Sequence, residues 1–495
     1  MAKTYRFGDA SRPGLLLGLS ARQAIPLIGG VLWMAFAMQT TAPVVFVLAG
    51  PVVGLVVAFG RFRGAPLAEV GGPGSRLWVA RRRAGRATWV RASLLGAGPG
   101  YEADLPAQLE GLELVEVPAP WLSRPVGIAA IRDRRAGTVT AVLRAQGRGF
   151  PLSSPSEQDG LLAAWGGALA PFARERAAVT RVCWHEWAHP VGADGHRQFL
   201  TEVGVGDRHA EPEVADYLSL VESQARSTVT HDVLLTITVD QRRVRARRNV
   251  RAFDAAIEML VDEVRLFSDR LATAGLVVDD PLSPAEVSTA IRLRSDPTRA
   301  RQATTLAHSL AATTGREAIE WGPMATERAW GHVAVDGSLH RSFRVATWPL
   351  LPVAADWLGP LLSTAGATRT VTVVLEPVPT SKAARLADRE VMSREADAEM
   401  KERRGFRVSA RDRKRMDDVR QRESELTEGH PEFRFVGLVD VAAPDLDSLE
   451  DACAAVEQAA AQSLVDLRPL EARHDMGWVA NLPLGRNMTP SRSLS

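Results

Sequence analysis

From Ala24 to Phe59 the chain runs AIPLIGGVLWMAFAMQTTAPVVFVLAGPVVGLVVAF without one charged residue. A single α-helix of that length, at about 1.5 Å per residue, would measure roughly 54 Å against a bilayer hydrocarbon core of about 30 Å. The polar break Gln39-Thr40-Thr41, followed by Pro43, supplies a turn near the middle. The reading is a transmembrane helical hairpin, with spans over 24–39 and 42–59. Each span is short, so flanking residues or local thinning must make up the length. Pro26, Pro43 and Pro51 fall near helix starts or at kinks that membrane helices tolerate. A secretory signal has a much shorter apolar core, and a hairpin buried in a soluble core is the remaining alternative.

Charge sets the expected orientation. Lys3, Arg6, Arg12 and Arg22 precede the hairpin, and Arg61, Arg63, Arg76, Arg81, Arg82, Arg83 and Arg86 follow it. Positive residues stay on the cytoplasmic side, so both termini are expected there, with the protein in the inner (plasma) membrane. Trp33, Phe36, Phe46, Leu55 and Phe59 would face lipid, and Arg61 and Arg63 would meet the headgroups of the bilayer.

The 495 residues leave room beyond the hairpin for two or three domains with real cores. The net charge of +2 creates no global field for nucleic acid, and no direct nucleic-acid partner is expected. Arginine carries nearly all the positive charge, since Lys3, Lys382, Lys401 and Lys414 are the only lysines. Cys183 and Cys453 make neither a disulfide framework nor a zinc cluster and suit a reducing compartment.

The pattern divides the chain into a basic arm (1–23), the hairpin (24–60), a basic juxtamembrane segment and linker (61–100), a first α/β domain (101–325), a second (326–480) and a tail (481–495). Strands are expected at 112–117, 127–132, 138–143, 179–187 and 232–240, with helices at 156–173, 211–227, 250–274 and from Pro284, N-capped by Ser283. The second domain alternates a strand at 342–347, a helix at 354–363 and a strand at 368–377. A charged helical arm over 381–428 follows, then a strand at 433–441, a helix at 446–461 and a strand at 463–468. That order is a split βαβ, or ferredoxin-like, arrangement with an insertion, and the first domain repeats it loosely. The expected fold class is α+β: the membrane hairpin, then ferredoxin-like α/β domains with a long arm.

His185-Glu186-Trp187-Ala188-His189 matches the H-E-x-x-H pattern of zinc peptidases, which sets two histidines one helical turn apart on one face and a glutamate as base. The context opposes it. The segment is rich in strand formers, and Pro190 pushes His189 out of the helical region. In a strand the two histidines stand about 13 Å apart, too far for one zinc. No metal and no cofactor are therefore expected. A P-loop needs Gly-Lys-[Ser/Thr], and no lysine here follows a glycine. No G-x-S-x-G elbow is present either. Asp240, Asp279, Asp280 and Glu376 stand at strand ends with nothing to pair them. Arg403, Arg404, Arg407, Arg411, Arg413 and Arg415 cluster near the tip of the arm, which reads as a solvated helix pair or as a docking arm for a partner subunit.

RFGDASRPGLLLGLS, the two-helix hairpin and the GAPLAEV segment together resemble the small two-span inner-membrane subunit of type IV secretion and conjugation systems. Ser342-Phe343-Arg344-Val345 leading to Thr347-Trp348-Pro349, the 368–377 strand, the charged arm and Asn481-Leu482-Pro483-Leu484-Gly485 resemble the motorless N-terminal domain of the large conjugation ATPase. In that family an LPLG stretch precedes the nucleotide-binding domain. The combination resembles actinobacterial membrane proteins in which the two parts are fused. The resemblance implies a non-catalytic inner-membrane scaffold that recruits a separate hexameric P-loop ATPase and other secretion subunits. Docking would involve Arg403, Arg404, Arg407 and Arg411 with Trp348 and Pro349, and homo-oligomers are compatible with it. A type VII secretion component, a membrane-anchored zinc peptidase using His185, Glu186 and His189, and a nucleic-acid binder using the arm are the competing readings.

Overall fold

Alternating apolar and polar residues mark out the strands of this chain, and those strands join edge to edge. A computed structural model describes residues 5, 21–40, 43–62, 65–82, 88–91, 105–122, 124–147, 149–190, 200, 203, 211–225, 229–245, 250–299, 321–403 and 410–488. The apolar stretch forms helices α1 (Ala21–Ala37) and α2 (Val44–Phe59). Strands β1 (Arg61–Phe62) and β2 (Ala65–Pro66) and helix α3 (Leu67–Arg82) follow. Next come β3 (Thr88–Val90), β4 (Leu112–Val117), β5 (Ile128–Asp133), β6 (Thr138–Gln146), α4 (Pro155–Leu169), β7 (Val179–Pro190), α5 (Pro212–Ala225), β8 (Val229–Asp240), α6 (Ala252–Thr273), β9 (Val277–Val278) and α7 (Pro284–Ser295). The remainder is β10 (Ala325–Arg328), β11 (Val333–Val335), β12 (Ser338–Thr347), α8 (Gly359–Leu362), β13 (Thr368–Val378), α9 (Thr380–Arg403), α10 (Ala410–Thr427), β14 (Glu432–Ala443), α11 (Leu446–Gln462), β15 (Asp466–Pro469) and α12 (His474–Asn481).

Thirteen of these strands form one sheet in the order β3-β10-β11-β12-β14-β13-β7-β8-β6-β5-β4, with β15 on β12 and β9 on β6. Every pairing is antiparallel. The two halves meet where β7 pairs β13, from Arg369 opposite Ala188 to Leu375 opposite Val182. This corrects the expectation of ferredoxin-like domains. The physical reason lies in β7 and β13, which are long and largely buried, and each presents a row of backbone groups that the other satisfies over seven paired positions. Neither can stand as an outer edge, so each completes the other.

One sheet face packs on α4 and α6, whose Ala256, Leu260, Val264, Phe267 and Leu271 are all fully buried. The same face carries α11 over Phe343, Val439 and Val441. The opposite face lies under α7 and α12, with Leu234, Ile291, Trp478 and Leu482 in the core between them. Two capping boxes start helices cleanly, Ser154 with Glu157 and Ser283 with Glu286. Tyr5 ties the start of the chain to the body: its backbone bridges Val353, and its hydroxyl donates to Asp159 Oδ1 at 2.6 Å.

The transmembrane hairpin is corrected as well. Among the described residues, no helix is long and apolar enough to cross a membrane. The 17 residues of α1 and the 16 of α2 rise roughly 24–26 Å, short of the core of about 30 Å, because the turn at Met38–Thr40 and Pro43 divides the stretch. The inner-membrane placement and the charge argument for two cytoplasmic termini lose their basis with it. The helices do pair antiparallel over a narrow seam of small residues. A Cβ on Gly30 would lie 2.7 Å from the Gly50 carbonyl oxygen, and one on Gly54 2.6 Å from that of Pro26. Trp33 crosses the pair, its ring tilted against Phe46 at 4.9 Å and its indole N–H donating to the Phe46 carbonyl at 3.1 Å.

Candidate functional site

The H-E-x-x-H segment lies in β7, not in a helix. Successive strand residues face opposite sides, so His185 and Glu186 never converge. His185 is fully buried with Nδ1 3.0 Å from Thr372 Oγ1. Burial, with the positive charge of Arg294 beside it, holds its pKa down at about 3, so it is neutral. Glu186 receives the Nδ1–H of His231 at 2.5 Å on the other face. Among the described residues His189 Nδ1 meets the Pro190 carbonyl, at 3.2 Å. Among the described residues no three His, Cys, Asp or Glu side chains are grouped to hold a metal ion. The peptidase geometry is therefore missing from this segment.

What the register does assemble is a polar band across the sheet face beneath α12. Ser342 of β12 stands opposite Asp440 of β14, and Asp440 opposite Thr370 of β13. Thr372 faces His185, and Thr238 of β8 lies opposite Thr140 of β6. The C-terminal segment from His474 to Asn487 lies over this band. Gly477 packs on the Ser342 side chain so closely that a Cβ would overlap it. Gly485, at φ +65°, packs the same way on Thr140 and Thr238. Arg181 Nη1–H donates to the Gly485 carbonyl at 2.5 Å, and Asn487 Nδ2–H to Glu376 at 3.1 Å. Arg486 donates to Asp133 at 2.8 Å. The stretch from Leu482 to Asn487 is thus a strap held down by side-chain hydrogen bonds at Gly485, Arg486 and Asn487.

The band is densest at His340, Asp440, Ser342 and His474, all buried. Both ring nitrogens of His340 meet acceptors: Nδ1 lies 2.7 Å from Asp440 Oδ2 and Nε2 2.8 Å from the Ser295 carbonyl. Only the imidazolium donates twice, so His340 is charged. Burial opposes that charge, but Asp440 and the Ser295 carbonyl prevail and its pKa is raised. Ser342 Oγ–H donates to Asp440 Oδ1 at 2.6 Å. The Ser342 N–H donates to His474 Nδ1 at 3.1 Å, which fixes His474 as the neutral Nε2–H tautomer. Burial, and then the charge on Arg341, push its pKa down to about 3. Ser, His and Asp resemble a nucleophilic triad by type only. The serine donates to the aspartate instead of the histidine, and the whole group is sealed under α12. Sequence reasoning missed this group. Its signal is Ser338, His340 and Ser342 at alternate positions of β12, with Asp440 inside the apolar run VGLVDVAA.

The residues expected to dock a partner are scattered differently. Arg403 ends α9, exposed and 3.3 Å from Glu399, while Arg411 falls in α10. Arg404, Arg407 and Arg63 lie outside the described residues. The arm crosses from β13 to β14 as an antiparallel helix pair, held by Arg420–Glu395 at 3.2 Å and Arg422–Glu390 at 3.0 Å. At its root, Pro349 is buried, and Trp348 packs edge-on to Phe435 at 5.1 Å and to Trp357 at 6.1 Å. Leu350 and Leu351, 64% exposed, extend that aromatic cluster to the surface. Arg61 is exposed beside the apolar helices, where Phe36, Leu55 and Phe59 are open and Trp33 and Phe46 half-open.

No known family model matches this chain, and no curated protein matches it significantly.

Proposed function

We propose that the chain is a non-catalytic scaffold of a type IV secretion- or conjugation-like machine, and that it docks a separate P-loop ATPase. The observation that carries this reading is the arm. Two helices are inserted between neighbouring strands β13 and β14, with the ion pairs Arg420–Glu395 and Arg422–Glu390 between them and Ala383, Ala387 and Val419 buried. Exposed ion pairs contribute only about 0–1 kcal/mol each, and the arm adds little to the sheet's core. The aromatic root at Trp348, Trp357 and Phe435 offers the rigid apolar contact that protein interfaces favour. The polar groups with catalytic potential support the same view, because Asp440 is taken up by His340 and Ser342 inside the core and the Ser342 hydroxyl donates to it instead of to His474.

The test is a pull-down of the tagged full-length chain from its native host, with quantitative mass spectrometry. A P-loop ATPase recovered near stoichiometry, and lost when 381–428 is replaced by a short Gly/Ser loop, supports the reading. Recovery of the intact chain without any such ATPase sinks it.

A further inference from the structure

The arm separates its charges along its length. Helix α9 runs 24 residues and rises about 36 Å. Ala383 and Ala387 are buried at its root, whereas over 392–403 every described side chain of α9 is exposed. The cross-pairs Arg422–Glu390 and Arg420–Glu395 align the helices antiparallel, which sets 401–403 of α9 level with 410–415 at the start of α10. Those nine tip positions hold six basic residues, Lys401, Arg403, Arg411, Arg413, Lys414 and Arg415, against the two acids Glu402 and Asp412. The rest of the two helices holds six basic residues against nine acidic ones. The chain's net charge of +2 averages this segregation away.

Helix stability does not account for that tip. Lower in the arm, opposite charges meet, Arg420 with Glu395 and Arg422 with Glu390. At the tip Arg411 and Arg415 stand four residues apart on one side of α10, a spacing at which like charges repel. They also sit toward the positive end of the α10 macrodipole, which disfavours cations. Charges placed against both rules cost the arm stability, and a bound polyanion relieves them. The shape of the cluster narrows the choice of anion. Arg413, Lys414 and Arg415 are consecutive, so at about 100° per residue their positions spread round the helix instead of lining one face. A flat acidic protein surface reaches one face only. A nucleic-acid single strand bends freely and brings a phosphate with every nucleotide, so it can follow a curved path. Four of the six basic residues are arginines, whose planar fork takes two phosphate oxygens at once.

We infer that the tip of the arm binds the phosphate backbone of single-stranded nucleic acid, through Arg403, Arg411, Arg413, Lys414 and Arg415. Contacts to phosphate carry no sequence information, so the binding has no base preference. The inference is independent of the scaffold reading, because it concerns the far end of the arm and needs neither an ATPase nor the aromatic root at Trp348, Trp357 and Phe435.

The test uses the full-length chain and a fluorescein-labelled oligothymidylate, followed by fluorescence anisotropy over a salt series. The logarithm of the affinity should fall linearly with the logarithm of salt concentration, with a slope of about −0.7 for each phosphate contact. Arg411→Gln/Arg415→Gln should weaken binding about tenfold and make the slope shallower by about 1.4, the share of two contacts. Arg385→Gln/Arg389→Gln removes as much charge from exposed positions near the root. These lie about 20 Å or more along α9 from Arg403, beyond the screening length of about 8 Å at 0.15 M salt, so the affinity there should change less than about twofold. Far-UV circular dichroism should be the same for both variants and the wild type. Polyglutamate should compete less well than unlabelled oligothymidylate. Four results would overturn the inference: no binding at low salt, an affinity that ignores salt, equal losses in the two double variants, or polyglutamate competing as well as the oligonucleotide.

Discussion

Replacing Asp440 by alanine probes the buried charge at the centre of the polar band. Asp440 accepts from His340 Nδ1 at 2.7 Å and from Ser342 Oγ at 2.6 Å. Ser342 keeps an alternative acceptor, the His474 carbonyl at 3.2 Å, so its loss is small. His340 is the costly partner. Its ring is fully buried, and removing one member of a buried ion pair costs about 3–5 kcal/mol. The sign with pH follows from the raised pKa of His340. Its stabilisation is fully present below the unfolded-state value of about 6.5 and fades as pH rises through the folded-state value. The gap between wild type and Asp440→Ala should therefore be about 3–5 kcal/mol near pH 6 and narrow steadily toward pH 9. Denaturant unfolding followed by tryptophan fluorescence reads it directly, because Trp478 lies 6.3 Å from the His340 ring. The double variant His340→Leu/Asp440→Leu removes both charges and should recover most of the loss, as apolar replacements of whole buried pairs often do. A gap under about 1 kcal/mol near pH 6, or one that widens with pH, would refute the assignment of His340 as a buried cation.

The neutral histidines act in the opposite direction. His185 and His474, both held near a pKa of about 3, stabilise the fold above about 6.5 and cost roughly 2 kcal/mol each by pH 5; His474→Gln should flatten that acid limb in a pH series of unfolding curves. Gly477→Val should lift α12 off Ser342, seen as faster amide exchange across 474–487, while Gly359→Ala, with open space at its Cβ, serves as a silent control. Phe267→Ala should cost about 3–5 kcal/mol, because Phe172 and Trp165 close over a ring with no exposure. Glu186→Gln should leave zinc content unchanged by elemental analysis, since the carboxylate partners His231 instead of a metal.

The strands were legible in the sequence because period-2 alternation is local. β8 (DVLLTITVD), β13 (TRTVTVVLEP) and β14 (FRFVGLVDV) were all visible as strands. Their assembly was not. In the structure β7 ends the run β4-β5-β6-β8-β7 and β13 ends the run β3-β10-β11-β12-β14-β13, and the two pair with each other. Edge-to-edge pairing depends on two segments almost 200 residues apart, and no window of sequence holds both. The apolar hairpin was legible as two helices. Its span lengths are not legible there, because hydropathy marks where charge is missing and not where the helix turns. Met38–Thr40 form a turn and Pro43 caps α2, which leaves each helix too short to cross a bilayer.

The polar band shows why the candidate site was harder to read than the fold. His185 belongs to a motif that invites a catalytic interpretation, yet its surroundings hold it neutral and bonded to Thr372. His340 belongs to no motif, yet it is the charged histidine of the core. The difference is set by what each ring meets: Thr372 across the sheet for one, the diagonal Asp440 and the Ser295 carbonyl of α7 for the other. That pairing is a matter of register, and a shift of β14 by one residue would put Asp440 on the opposite face and strand His340 without its anion. The His340–Asp440 pair thus fixes the register of β12 on β14, and with it the alignment of β15, which continues on β12 from Phe343 to Thr347. The same register sets where Gly477 of α12 meets Ser342 and where the strap reaches Thr140 and Thr238. A charge that adds little net stability over an apolar core can still select one alignment among several, and here the selected alignment is the one that seats the C-terminal strap.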